Sequence, residues 1–277
     1  MPAARTSERR ASARRPAWTS ADGASRLVRG DQATLFPGLA ADSIDCVWTD
    51  PPYFLSNGGT TCKAGRRASV DKGGWDRSQG IAADHAFNRA WLAECFRVLR
   101  PGGTLWVSGT HHVYLSVGMA MMELGFRLLN DIVWEKPNPP PNLGCRCFTH
   151  ATEMILWAAK PGRGAAARHT FNYAEMKAEN GDRQMKNVWR FTAPGADEKA
   201  HGKHPTQKPL ALIERCLRAS TAPGEHVLDP FAGSASTGVA ALTVGRRFTG
   251  WEIDAGHARL AVRRLCEAER TQAERER

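Results

Sequence analysis

The residues with the clearest capacity for chemistry form the run Asp50-Pro51-Pro52-Tyr53, which follows the apolar segment Ile44–Thr49. Asp50 provides a carboxylate and Tyr53 provides an aromatic ring. The two prolines fix the backbone and have no N–H, so this backbone can only accept hydrogen bonds from a ligand. An amino group, which donates two hydrogen bonds, suits this arrangement.

A second candidate site lies near the C-terminus. The predicted strand 226–229 ends at Asp229 and leads into a loop of small residues, 230–238, while the next predicted strand ends at Glu252. Small residues after a strand let the backbone approach a ligand, and an acidic residue ending the next strand can bind ribose hydroxyls. The loop lacks both a triphosphate cradle and a complete dinucleotide fingerprint. A cofactor without pyrophosphate, such as S-adenosylmethionine, therefore fits it better.

A third group of polar residues precedes a predicted helix that begins at Leu210. In the run 204–209, Thr206 offers a hydroxyl and Lys208 an ammonium group just before Pro209. Proline is favoured at a helix start, and the helix dipole favours anions there. A carboxylate, such as that of a methionine moiety, would fit; an ordinary capped helix start is the alternative.

The elements that must position these residues alternate between strand and helix. The predicted strands are 25–29, 44–49, 104–108, 127–135, 153–159, 226–229 and 247–252; the predicted helices are 86–99, 113–124, one from 210, and one after 238 that runs to about 244. Alternation of this kind predicts an α/β fold, with a mostly parallel sheet and helices on both faces.

The charge, the cysteine content and the hydropathy of the chain limit the classes of protein to which it can belong. The net charge is +10, and seven arginines against Glu8 and Asp22 place half of it in the first 30 residues. We expect residues 1–25 to form a disordered basic tail, with a transit peptide or a phosphate-contacting arm as alternatives. Seven cysteines argue against a secreted disulfide framework, and the spacing of Cys145, Cys147 and His150 is poor for zinc. No apolar run is long enough to span a membrane, which predicts a soluble, cytoplasmic protein.

Taken together, the run 50–53, the loop 229–234 and the run 204–209 resemble the motifs of the DNA amino-methyltransferases, in the order called the β group. The resemblance covers roughly residues 25–265 and implies a Rossmann-like methyltransferase fold with S-adenosyl-L-methionine as cofactor. It also implies one catalytic domain, 26–265, with inserted loops at 54–80 and 163–203, followed by the charged end of a C-terminal helix, 266–277.

The resemblance also implies roles for single residues. Asp50, Pro51, Pro52 and Tyr53 would form the catalytic motif, with Tyr53 stacking on a flipped base. The implied cofactor residues are Asp31, Thr206, Lys208, Asp229, Phe231, Ala232, Gly233, Ser234 and Glu252, of which Thr206 and Lys208 would meet the methionine carboxylate. Ser234-Ala235-Ser236 departs from the glycine-rich continuation that is more usual in the family.

The two inserted loops combine basic and aromatic residues, which can contact phosphates and stack on bases. We expect both to be loops rather than parts of the sheet. The predicted DNA-contacting residues are Lys63, Arg66, Arg67 and Lys72 in the first loop, and Arg168, Arg183 and Lys186 in the second, where target recognition would lie. A solvated helical insertion is the alternative for the second loop.

The chemistry implied is methylation of an exocyclic amine of double-stranded DNA. Asp50 and the carbonyl of Pro51 would accept its two N–H groups and localise its lone pair. An aspartate at position 50 is more typical of adenine-N6 enzymes and a serine of cytosine-N4 enzymes, so adenine is favoured. The alternatives are cytosine N4, an RNA or protein-glutamine substrate, and a non-catalytic DNA-binding protein; a homodimer and a cognate restriction endonuclease remain open as partners.

Overall fold

The computed structural model describes residues 15–58, 60–63, 66–69, 73–162 and 168–275, and its centre is a nine-stranded sheet. The strands of that sheet are β1 (Trp18–Thr19), β2 (Arg26–Arg29), β3 (Ile44–Thr49), β6 (Leu99–Gly109), β7 (Arg127–Glu135), β8 (Thr152–Ala159), β9 (Val188–Arg190), β10 (His226–Asp229) and β11 (Arg247–Glu252). Strands β4 (Thr60–Lys63) and β5 (Arg66–Ser69) form a separate hairpin.

The sheet order is β1-β2-β11-β10-β3-β6-β8-β7-β9. Every neighbouring pair is parallel except β1 with β2, β6 with β8, and β8 with β7, so only β1 and β8 run against the rest. The chain leaves β3 towards β6 on one side and returns to β10 on the other. Ligands bind open α/β sheets at such a switch point, outside the carboxyl ends of the strands. We call this side of the sheet the catalytic edge.

Helices cover both faces of the sheet. They are α1 (Gln32–Leu35), α2 (Ile81–Val98), α3 (Tyr114–Glu123), α4 (Tyr173–Glu179), α5 (Leu210–Ser220), α6 (Ser236–Thr243) and α7 (Ala255–Arg275). Side chains of β3 alternate between the two layers: Cys46 and Trp48 pack with the α5, α6 and α7 side, and Val47 packs with the α2 and α3 side. The mostly parallel sheet with helices on both faces confirms the predicted fold class.

Three local predictions were wrong. Part of the predicted tail is ordered, because Trp18 is buried and β1 pairs with β2. Strand β6 begins at Leu99 and not at residue 104, because Leu99 already pairs with Ile44 across a register shift. Both segments predicted to be loops contain regular structure: 54–80 carries the β4–β5 hairpin, and 163–203 contains α4 and the edge strand β9, which pairs with β7. Residues 1–14 of the predicted tail lie outside the described residues.

Among the residues that the structure describes, no helix is both long and apolar enough to cross a membrane.

Candidate functional site

A cavity of about 240 Å³ opens at the catalytic edge, where β3, β10 and β11 end. Its lining includes every residue predicted for the catalytic motif and the cofactor: Asp31, Asp50, Pro51, Pro52, Tyr53, Thr206, Lys208, Asp229, Phe231, Ala232, Gly233, Ser234 and Glu252. These residues come from distant parts of the chain. The topology brings them together because β3 and β10 are adjacent parallel strands whose carboxyl ends meet.

Asp50 is the centre of a largely buried network of charges. Its Oδ1 accepts a hydrogen bond from the Tyr53 hydroxyl at 2.5 Å, and its Oδ2 contacts the Lys208 ammonium. Lys208 also lies 3.6 Å from Glu153 Oε2, and Lys136 contacts the other oxygen of Glu153. Positive and negative groups therefore alternate from Lys136 to Asp50, an arrangement that offsets the cost of burying each charge.

The network shifts the pKa values of Asp50, Lys208 and Glu153. Burial raises the pKa of Asp50 above its ordinary value, although the charge of Lys208 opposes the shift. Burial alone would lower the pKa of Lys208, but the charges of Asp50 and Glu153 outweigh it and raise that pKa. For Glu153, burial is outweighed by Lys208 and Lys136, which lower its pKa. Lys208 thus stays protonated at neutral pH and favours the carboxylate form of Asp50.

The structure adds contacts that bear on two sequence interpretations. Lys208, assigned to a cofactor carboxylate, contacts the carboxylates of Asp50 and Glu153, which are the partners that a buried ammonium needs. Tyr53, assigned as an open stacking face, is only 5% exposed. Its hydroxyl orients Asp50, and the Lys208 ammonium lies 5.4 Å from the centre of its ring.

The backbone that follows the motif is held by one buried carboxylate, Asp76. Its Oδ1 accepts the N–H groups of Tyr53 and Phe54, both at 2.9 Å. Its Oδ2 accepts the Ser56 hydroxyl at 2.8 Å and the Leu55 N–H at 3.3 Å. Phe54 has a φ of +58°, which is unfavourable for a residue with a side chain. Asp76 therefore fixes the strained turn that leaves the catalytic motif.

Replacing Asp76 with alanine should lower the free energy of unfolding by about 3 kcal/mol, because buried N–H groups lose their acceptor. Urea unfolding followed by circular dichroism measures this change. The matched control is Asp84→Ala, which removes a carboxylate that accepts hydrogen bonds from Ser78 and Gln79 near the protein surface. An equal decrease in the free energy of unfolding for the two variants would contradict the role of Asp76 in holding this turn.

The loop after β10 is held by carboxylates and by an arginine from α7. Asp229 accepts hydrogen bonds from the hydroxyls of Thr49 and Thr237, and Glu252 Oε2 accepts the N–H of Gly233 at 2.8 Å. Arg264 donates to the carbonyl and hydroxyl of Ser234. The loop is therefore fixed before any ligand arrives, and Asp229 acts mainly as a brace within it.

Two loop positions have a left-handed backbone. Gly233 has a φ of +53°, and a Cβ there would lie 3.1 Å from the ring of His204. Ala235, in the segment that departs from the glycine-rich pattern, also adopts the left-handed region at +58°. The loop therefore keeps the conformation that a glycine would favour, at a strain of about 1 kcal/mol.

Burial raises the pKa of two carboxyl groups in the cavity. The value for Asp229 is about 6, with the hydroxyls of Thr237 and Thr49 limiting the shift. The value for Glu252 is about 7, with the N–H groups of Asp254 and Gly233 limiting it. The charged forms of both groups are destabilised by lost solvation, so a cationic ligand would be favoured in this cavity.

The structure separates the predicted DNA-contacting residues into two groups. The hairpin with Lys63, Arg66 and Arg67 belongs to the connection that leaves β3 at the catalytic edge. Lys72 lies outside the described residues.

Arg168, Arg183 and Lys186 are exposed, but they lie between the end of β8 and the start of β9. Because β8 is antiparallel to its neighbours and β9 is parallel to β7, both of these points are at the edge opposite to Asp50. Their placement argues against direct contact with DNA around the catalytic motif.

Sequence reasoning missed Glu153, Asp76 and Arg264. Glu153 begins a strand whose reversed direction, which brings it to the catalytic edge, is not visible in the sequence. Asp76 follows Trp75 at the end of an inserted loop and has no motif around it. Arg264 is one of several arginines on a charged helix, and only the fold shows that it is buried. Within the part of the chain that the structure describes, no three metal-ligating residues cluster as a metal site.

Comparison with known proteins gives concordant results. A family model for N6 and N4 methyltransferases, described as DNA methylase, matches residues 44–263. The Type II methyltransferase M2.DpnII of Streptococcus pneumoniae is 48% identical over 239 residues, which cover 86% of this chain and 88% of that protein. The Type II methyltransferase M2.MboI of Moraxella bovis is 43% identical over 253 residues, which cover 91% of this chain and 92% of that protein.

Solved structures give the same fold. The M1.HpyAVI–SAM complex matches with a TM-score of 0.64 and 25% identity, covering 86% of this chain and 98% of that one. The PvuII DNA methyltransferase, described as cytosine-N4-specific, matches with a TM-score of 0.71 over 95% of this chain and 96% of that one. Its identity is 18%, so that likeness concerns the fold alone.

Proposed function

Because the chain belongs to the N6/N4 DNA methylase family, we propose that it methylates the N6 amino group of adenine in DNA. The family uses S-adenosyl-L-methionine, and the chain is an S-adenosylmethionine-dependent DNA methyltransferase. The observation that carries the proposal is the largely buried Asp50 carboxylate, which shares one cavity with Glu252 and the loop after β10. A hydrogen-bond acceptor for an amine thus lies beside a nucleoside site.

The choice of adenine rests on the residue at position 50. The resemblance associates aspartate at this position with adenine enzymes and serine with cytosine enzymes. Cytosine N4 is the second candidate, because both bases present an N–H₂ group of the same geometry. The relatives are described as Type II methyltransferases, the modification enzymes of restriction–modification systems, which supports a cognate restriction endonuclease as a partner.

The cavity suits S-adenosyl-L-methionine, which when bound supplies an electrophilic methyl group on a cationic sulfonium. Two carboxyl groups there, Asp229 and Glu252, have pKa values raised by burial, and a cation would favour their charged forms. Glu252 ends β11, where a carboxylate can accept ribose hydroxyls. Phe231 offers an apolar wall and packs edge-on against Trp91, with the ring centroids 5.5 Å apart. Thr206 lines the same cavity and supplies a hydroxyl for the methionine end.

Asp50 and the Pro51 carbonyl are the groups that would bind and activate the target amine. The lone pair of an exocyclic amine is delocalised into the ring, so the amine is a weak nucleophile. Asp50 would accept one N–H and the Pro51 carbonyl the other, which localises the lone pair on nitrogen. A carboxylate has about four acceptor positions, and Tyr53 and Lys208 occupy two of them. Asp50 can therefore accept the base without losing its existing partners.

Lys208 favours the ionised form of Asp50 that this role requires. Burial raises the pKa of Asp50, and a protonated Asp50 would lose acceptor capacity. The ammonium of Lys208 opposes that shift, and Glu153 with Lys136 holds Lys208 in place. In the proposal, Lys208 acts through Asp50 as a positioning residue, while the amine proton can leave after methyl transfer.

The affinity for S-adenosyl-L-methionine should increase between pH 6 and pH 8. Glu252 has a pKa of about 7, so it is mostly protonated at pH 6 and mostly ionised at pH 8. The ionised form is the stronger acceptor for ribose hydroxyls, which predicts an increase of about fivefold to tenfold. Isothermal titration calorimetry at the two pH values measures it.

The control for this pH dependence is Glu252→Gln, which cannot ionise. Asp229, with a pKa of about 6, and the cofactor's own amino group also titrate in this range, so the decisive quantity is the difference between the two proteins. Glu252→Gln should bind more weakly and show a smaller rise with pH. An equal rise in both proteins would contradict ionisation of Glu252 as its cause.

Labelled methyl transfer tests the proposed substrate. The purified protein is incubated with S-adenosyl-L-methionine labelled in its methyl group and with duplex DNA, RNA or a protein extract. Label should enter duplex DNA, and sequencing that detects methylated bases should place it on adenines within one short recognition sequence. Label that enters only RNA or protein would contradict DNA as the substrate.

A further inference from the structure

Apart from Lys136, the connection between β7 and β8 takes no part in the proposed chemistry. It comprises residues 136–151, which we call the β7–β8 arm. Strand β7 ends and β8 begins at the catalytic edge, so both ends of the arm lie on the side of the sheet that carries Asp50. The N–H of Lys136 donates to the carbonyl of Ala151 at 2.7 Å and closes the base of the arm.

The arm is braced along its length. Four of the five residues 137–141 are prolines, which restrict the backbone. The side-chain amide of Asn142 donates to the carbonyl of Cys147 at 2.8 Å and closes the tip into a turn. At the other end, the ring of His150 stacks on His111, just beyond β6, with centroids 4.6 Å apart. The arm is therefore pre-organised, which lowers the entropic cost of binding.

Phe148 directly follows the turn 142–147 and is 96% exposed. Leu143, within that turn, is 44% exposed. The arm contains the exposed Arg146 and no acidic residue, whereas its Lys136 is paired with Glu153. The positive charge at Arg146 suits a polyanion. An exposed aromatic ring on a rigid, basic projection is an arrangement that can stack on a nucleic-acid base.

The base of the arm is connected to Asp50 through side-chain contacts. Lys136, the first residue of the arm, contacts Glu153; Glu153 lies 3.6 Å from Lys208, and Lys208 contacts Asp50. The same edge of the sheet therefore holds the acceptor for the target amine and the projecting ring. When DNA presents a base to Asp50, the arm is beside the duplex from which that base came.

We propose that the β7–β8 arm inserts into the DNA duplex and that the ring of Phe148 takes the stacking position vacated by the target base. The inference rests on the proposed function, because Asp50 can only reach the amine of a base that has left the helix. Flipping a base costs its stacking and pairing energy. Apolar side chains that insert between base steps can recover part of that energy.

The test compares two duplexes that carry the recognition sequence mapped for the unaltered enzyme. One duplex is fully paired; the other has an abasic site opposite the target base, so the target is already easy to extrude. Phe148→Ala should lower kcat/KM about 10- to 100-fold on the paired duplex, which corresponds to the loss of aromatic stacking on one base. The same variant should lose less than about threefold on the abasic duplex, and Phe148→Trp should retain activity on both.

The matched control is Met122→Ala, which removes another exposed apolar side chain, 56% exposed, near the end of α3. Met122→Ala should behave like the unaltered enzyme on both duplexes. Equal losses for Phe148→Ala on the two duplexes, or no loss on either, would overturn the inference. Failure of the adenine proposal would give a different result: the unaltered enzyme would methylate cytosine. The effect of Phe148→Ala on the paired and abasic duplexes could still be measured in that case.

Discussion

Replacing Asp50 with alanine is expected to lower kcat for methyl transfer by about 10³-fold. In the proposed mechanism Asp50 localises the lone pair of the target amine, and losing one such group in a buried site typically costs about 10²- to 10³-fold. The pairing of Asp50 with both Tyr53 and Lys208 places this variant at the upper end of that range. Single-turnover methylation of duplex DNA measures the change.

The control for this variant is Asp45→Ala. Asp45 lies on β3, the strand that ends one residue before Asp50, but it pairs with Arg100 at 2.6 Å and does not line the cavity. It should keep kcat within about twofold of the unaltered enzyme. Asp50→Asn retains one accepting oxygen and should lose less activity than Asp50→Ala. Calorimetric binding of S-adenosyl-L-methionine shows that each variant is folded, and a kcat of Asp50→Ala within about tenfold of the unaltered enzyme would refute the role of Asp50.

Replacing Lys208 with methionine is expected to have the second-largest effect, a loss of about 10²-fold in kcat at pH 7. The charge of Lys208 lowers the pKa of Asp50 against the effect of burial. Without that charge the pKa of Asp50 rises further, so the active, ionised form is reached only at higher pH. The acid limb of the pH–rate profile should therefore move to higher pH in Lys208→Met.

The same variant separates the two assignments of Lys208. If Lys208 acts on Asp50, the affinity for S-adenosyl-L-methionine should stay within about threefold, whereas a lysine that binds the methionine carboxylate would cost far more. Lys208→Arg, which keeps the charge, should recover part of the activity. Lys136→Met removes the outer partner of Glu153 and should shift the acid limb less. An unchanged acid limb with a large loss of affinity would support the carboxylate assignment.

The sequence was sufficient for the parts of the protein that depend on local pattern. Alternating strands and helices predicted the mostly parallel sheet. The run at Asp50 and the residue Glu252 were assigned to one site by the resemblance of their motifs to those of the DNA amino-methyltransferases. The structure brings these residues to a single cavity.

The sequence was insufficient where a role depends on strand direction or on partners far along the chain. Glu153 reaches Asp50 only because β8 runs antiparallel to its neighbours. Arg183 and Lys186 look like part of a recognition loop, but the parallel pairing of β9 with β7 places them at the opposite edge. For Lys208, the residue type was informative, but its partner depended on which anions the fold buries beside it.

The identity of the methylated nucleoside tests the central claim most directly. Duplex DNA methylated by the purified protein is digested to nucleosides and separated by liquid chromatography with mass spectrometry. The account predicts N6-methyladenine, formed about 10³-fold more slowly when Asp50→Ala replaces the unaltered enzyme. N4-methylcytosine as the product would contradict the adenine assignment.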